Sequence, residues 1–139
     1  MSPFSLLLHD LRVRHGLRQA DLAALIGYEQ SYISALEVGL KGPPTDVFLD
    51  RVANAMSLSD EDRRQLRLTV WASQRKLVLN LDAPPDIYWM LNELRDGVDG
   101  LTPVQVRMIR EIIAMRSAMS ESREPVRRLK RRRKEDAPM

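Results

Sequence analysis

The chain contains no cysteine. Disulfides, thiol nucleophiles and thiolate metal sites are therefore excluded. Histidine is nearly as scarce: His9 and His15 are the only two. Six residues apart on one helical stretch, they do not share a face and make a poor metal pair. No apolar run approaches the length of a membrane span, and charges interrupt the apolar patch of MSPFSLLLHDLRVRHG. Its flanks are also wrong for a secretory signal, so the expectation is a soluble, cytoplasmic protein. Paired carboxylates, a nucleophile–histidine set and a phosphate-cradling glycine loop are all missing, which argues against an enzyme and against a cofactor.

A strong charge excess is lacking too, until the charge is located. The formal net charge is +3. Arg123 to Asp136 alone holds eight Lys/Arg against three Asp/Glu, leaving a net of −2 for everything else. At 139 residues there is room for one compact domain and an appendage.

What the sequence does have is a tightly punctuated run, Gln19–Gly39, QADLAALIGYEQSYISALEVG. Leu22, Ala23 and Ile26 recur at helical spacing, and Gly27 follows as a left-handed stop. Ile33 and Leu36 then face inward while Gln30, Ser31, Ser34 and Ala35 face outward, until Gly39 ends the second helix. Two helices this short, joined this tightly, must cross steeply, which is helix-turn-helix geometry. Gly16-Leu17, Gln19, Leu22-Ala23, Gly27, Ile33-Ser34, Glu37, Gly39 and Pro44 together resemble the XRE/Cro (lambda-repressor-like) helix-turn-helix family, over about residues 5–76.

That resemblance implies a five-helix DNA-binding domain; the residues after it read by themselves as a C-terminal two-helix unit and a basic tail, so the expected fold is all-α. The resemblance assigns base contacts to Gln30 and Ser31, with Glu29, Ser34 and Ala35 beside them. Gln19 and Arg18 would meet phosphate at a helix N-terminus, flanked by Tyr32, and by Lys41 and Gly42 in the following loop. Arg12 would pair with Glu37 and pin the first helix to the third. Two positions depart from the family pattern. Arg18 stands where a capping residue is usual, and Glu29 replaces a capping hydroxyl, favouring the helix dipole while repelling phosphate.

In order, the first helix is expected from Ser5 to His15, with Phe4, Leu7, Leu8 and Leu11 inward. A helix over Asp46–Met56 buries Leu49, Val52, Ala53 and Met56. Ser59–Asp62 opens another, with Leu66, Thr69 and Val70 inward. The expected divisions are 1–76 for the DNA-binding domain and 77–85 for a linker or an extension of the fifth helix. A helical hairpin occupies 86–119 and a disordered basic tail 120–139. In the hairpin, Asp86 caps a helix carrying Ile87, Met90, Leu91 and Leu94. Thr102-Pro103-Val104-Gln105 opens a last helix reaching Met119. The last helix is apolar on more than one face, so it packs either on its own domain or across a dimer interface holding Ile109, Ile113, Trp89 and Leu94. The tail is either a phosphate-attracting arm or a solubilising extension.

The reading is a dimeric, nucleoid-associated repressor of transcription that binds double-stranded DNA, with no metal and no membrane. The alternative is a protein-interaction module, antitoxin-like or polymerase-binding, on the same scaffold. The near-neutral helix-turn-helix half favours that alternative.

Overall fold

The computed structural model describes residues 1–115, and every regular element among them is helical. The chain divides into two units, the first Met1–Leu77 and the second beginning at Val78.

In the first unit the helices are α1 (Pro3–Arg14), α2 (Gln19–Ile26), α3 (Gln30–Val38), α4 (Asp46–Ala55) and α5 (Asp60–Ala72). Helix α1 begins two residues ahead of the sequence expectation. Ser2 caps it by accepting from the Ser5 N–H at 3.1 Å, and Pro3 takes the first helical position, where its missing N–H costs nothing. Thr45 caps α4 in the same way, as Ser59 caps α5.

Phe4, Leu8 and Leu11 of α1 close over Leu22, Ala23 and Ile26 of α2, Ile33 and Leu36 of α3, and Leu66 of α5. Phe48, Leu49, Val52 and Ala53 of α4 complete the core, with Met56 and Leu58 beneath. Phe48 is 1% exposed and is a core anchor that the sequence pattern missed in favour of its neighbour Leu49.

Three buried or half-buried polar links then tie helix ends together. The Ser5 hydroxyl donates to the Leu36 carbonyl at 2.6 Å, joining α1 to α3. The Phe4 N–H donates to Ser73 Oγ at 2.9 Å, joining α1 to the end of α5. Arg75 donates through Nη2 to the Gly39 carbonyl, fastening the segment after α5 to the end of α3.

Residues 73–84 contain no helix, so the stretch 77–85 does not extend α5. The second unit holds α6 (Pro85–Gly97), a 3₁₀ turn (Val98–Gly100) and α7 (Pro103–Ala114). Asp86 does not cap α6; Pro84 holds the cap position and Pro85 the first turn. Thr102 caps α7 reciprocally with Gln105, at 3.2 and 2.9 Å. Met119 and the basic tail lie outside the described residues.

Candidate functional site

Helices α2 and α3 meet at Gly27, whose φ of +74° is open to glycine and strained for other residues. The Gly27 and Tyr28 N–H groups both donate to the Ala23 carbonyl at 3.0 Å, closing α2 within one residue of its end. From α4, Arg51 donates to the Ile26 carbonyl at 3.1 Å, and its guanidinium lies 5.6 Å from the Tyr28 ring centre. Tyr28 and Tyr32 stack at 5.5 Å, and both set their rings edge-on against Phe48. The turn and the start of α3 are thus braced by an aromatic cluster grown from α4. Tyr28, Phe48 and Arg51 were not among the residues the sequence singled out for this site. Phe48 and Arg51 stand one turn apart on α4, but Tyr28 lies outside that helix and well before it in the chain, so no single period joins the three.

The far end of α3 is fixed by Glu37, which is 3% exposed. Arg12 donates Nε to Glu37 Oε1 at 2.6 Å and Nη2 to Oε2 at 3.2 Å, while its Nη1 reaches the Leu17 carbonyl at 2.8 Å. Gln19 Nε2 donates to Glu37 Oε2 at 2.6 Å, and His9 Nδ1 lies 3.7 Å from that oxygen. Burial pushes the Glu37 carboxyl up, but the hydrogen bonds from Arg12 and Gln19, with the charges of Arg12 and His9, hold it below the usual glutamate value. One carboxylate therefore joins α1, α2 and α3.

Gln19 is the residue this changes most. One N–H of the side chain assigned to phosphate is given to Glu37, leaving its other N–H and its backbone N–H at the mouth of α2. At the same mouth Arg18 has no acceptor with which to cap the helix. The reciprocal half of a capping box is present instead: Asp21 Oδ2 accepts from the Arg18 N–H at 2.9 Å and from its Nε at 3.3 Å. These bonds, the backbone one first, hold the Asp21 carboxyl below its usual value. The α2 N-terminus thus carries a carboxylate of its own, paired with Arg18.

The outward row of α3 is uncommitted to the core. Gln30 and Ser31 are exposed, and Ser34 and Ala35 half-exposed. Glu29 occupies the cap position, its carbonyl accepting from the Tyr32 N–H at 3.1 Å while its side chain makes no cap bond, and the Ser31 hydroxyl reaches its carboxylate at 3.5 Å. Tyr32 is half-buried; burial, then Tyr28, pushes its hydroxyl pKa above the usual value. Beyond α3, the Leu40 and Lys41 N–H groups both donate to the Ala35 carbonyl, at 2.9 and 3.4 Å. Lys41 therefore offers its ammonium and Gly42 its backbone, both exposed. Trp89, Leu94, Ile109 and Ile113 belong to the second unit.

Among the described residues no cluster of acidic and imidazole groups is arranged to hold a metal, and no helix is long and apolar enough to cross a membrane. Residues 3–66 match a family model described as a helix-turn-helix domain. No curated protein and no solved structure matches the chain.

Proposed function

With residues 3–66 a helix-turn-helix domain, we propose that the protein is a sequence-specific DNA-binding regulator of transcription, acting as a dimeric repressor that reads the major groove with α3. The observation that carries this reading is the division of α3 into two faces. Ile33, Leu36 and Glu37 are held by core and ion pair, while Gln30, Ser31 and Ser34 stand outward on a helix that cannot rotate. A rigid helix with free amide and hydroxyl groups at its N-terminal end suits base-edge recognition. Gln30 is the bidentate reader, pairing with adenine N6 and N7. Ser31 and Ser34 add less selective contacts, with Ala35 and Glu29 at the margin, Glu29 suiting a cytosine amino group. Arg18, the free N–H groups of Gln19, the Tyr32 hydroxyl, Lys41 and Gly42 lie along the phosphate track.

Selection from a random duplex library with the purified chain tests this reading. A defined, two-fold symmetric site is expected. Gln30→Ala should lose about 1–3 kcal/mol at one base position and relax the preference there. Equal weakening on every sequence would remove Gln30 from base reading.

One observation favours the protein-interaction module instead. The first unit carries ten Lys/Arg against nine Asp/Glu, with Asp21 and Glu29 at the very helix ends that should meet phosphate. A module of that kind would show no salt-dependent duplex shift beyond what the basic tail contributes.

A further inference from the structure

Nothing from Val78 to Met115 is buried. This is unusual because the sequence there is not polar. Helix α6 gathers Ile87, Met90, Leu91 and Leu94 into one stripe. At about 100° per residue, the apolar positions of α7 sweep roughly 200° of its circumference, twice the width of an ordinary amphipathic stripe. Trp89 is 67% exposed, Ile112 62% and Ile113 63%. Helices of 13 and 12 residues are marginal alone, so the unit needs a surface to fold against.

We propose that this surface is a second copy of the same unit. The two copies form an isologous four-helix contact, in which α6 of each subunit lies beside α7 of the other. The proposal deepens the dimeric half of the reading above and does not depend on what α3 recognises. Two features favour self-pairing over a foreign partner. The first is charge. From Pro85 to Gly100 there are four acidic residues and one arginine, whereas α7 has Arg107 and Arg110 against Glu111. A two-fold axis sets each acidic helix against a basic one, with Glu93 and Asp96 facing Arg107 and Arg110 across the rim. A uniformly acidic or basic partner would satisfy only one helix. The second is area. The dozen half-exposed apolar side chains, at about 100 Å² each, offer on the order of 1,000 Å² per subunit, against the roughly 800 Å² per partner of a standard interface. That surface has an apolar centre and a charged rim, the ordinary anatomy of a protein–protein interface.

Sedimentation equilibrium of the full chain without DNA tests the contact. The wild type should be a dimer at micromolar concentration, and Ile109→Asp with Ile113→Asp should sediment as a monomer whose α3 amides remain protected from exchange. Two charge reversals check the pairing without touching the apolar face. Arg107→Glu with Arg110→Glu, and separately Glu93→Lys with Asp96→Lys, should each weaken self-association about tenfold. Mixing the two variants should restore wild-type affinity as a heterodimer. A wild type that is monomeric throughout would overturn both the dimeric reading and this interface. A dimer indifferent to the aspartates would overturn the interface alone and move the contact to the first unit. Loss of α3 protection in the aspartate variant would mean that the apolar face packs within its own chain. Failure of the mixture to recover would refute the α6-to-α7 pairing.

Discussion

Arg12→Ala strikes the point where three helices meet. In the wild type the Glu37 side chain is 4% exposed and that of Arg12 12%. Truncation removes two hydrogen bonds to the carboxylate and the one to the Leu17 carbonyl. The carboxylate stays behind in the core with Gln19, and with His9 at 3.7 Å. Removing one partner of a buried pair costs about 3–5 kcal/mol. The lower end, about 3 kcal/mol, applies here because Gln19 persists and the half-exposed His9 edge admits water. Out of a total of roughly 5–15 kcal/mol this is a large share, equivalent to about 15 °C in melting temperature for a unit of this size.

The pH dependence gives the sharper test. Glu37 in the wild type titrates below its ordinary value, so its contribution is present above the usual glutamate range and is lost as pH falls through the depressed value. In the variant burial prevails and the folded carboxyl titrates above its unfolded value of about 4.3. The variant then recovers stability on acidification while the wild type loses it, so the gap narrows from pH 7 towards pH 4. Amide exchange at Ile33 and Leu36, which reports on the first unit alone, measures both. A loss under about 1 kcal/mol, or a gap unchanged with pH, would refute the buried-pair reasoning. Arg12→Met combined with Glu37→Leu should return to within about 1 kcal/mol of the wild type, because no charge is left uncompensated.

Phe48→Ala removes the floor of the Tyr28–Tyr32 stack and should cost about 3–5 kcal/mol by urea denaturation; under 2 kcal/mol would mean the two tyrosines collapse into the space. Ser57 holds φ at +46°, the one positive value among described non-glycine residues, and is exposed. Ser57→Gly should therefore stabilise by about 0.5–1 kcal/mol, and a lowered melting temperature would contradict the strain argument. A chain ending at Ser122 loses a net +5 from residues 123–136 and should bind every duplex more weakly, with a shallower dependence on salt. An unchanged slope would make that segment a bystander, and a collapsed preference for the operator would mean it reads bases.

Local signals in the sequence carried furthest. Gly27 and Gly39 mark left-handed helix stops, and Thr102-Pro103-Gln105 marks a helix start, because each is a backbone requirement settled within three or four residues. Thr45 is as local, yet it sits behind Pro43-Pro44, where the prolines draw attention from the cap that follows them. Illegible are the bonds that cross the chain: Ser5 to the Leu36 carbonyl, Arg75 to the Gly39 carbonyl, Gln19 to Glu37. A side chain bonding a distant carbonyl leaves no period, and a glutamine eighteen residues from its glutamate looks like any surface glutamine. The Arg12–Glu37 pair enters through the resemblance for the same reason. Nothing in residue spacing connects them.

The thinness of the proposed reading face and the apolar second unit bear on one quantity. The outward row of α3 consists of one glutamine, two serines and an alanine, all neutral, on a helix of nine residues. A good bidentate contact is worth about 1–3 kcal/mol of discrimination, and serine less. A single copy therefore falls short of the roughly 4–10 kcal/mol that separates specific from random binding. Doubling the reader across a two-fold axis doubles the discrimination without adding a residue. Under the proposed pairing of second units, loss of that contact would halve the discrimination and leave α3 intact. On the proposed reading, a helix with so few groups for base contacts depends on being presented twice.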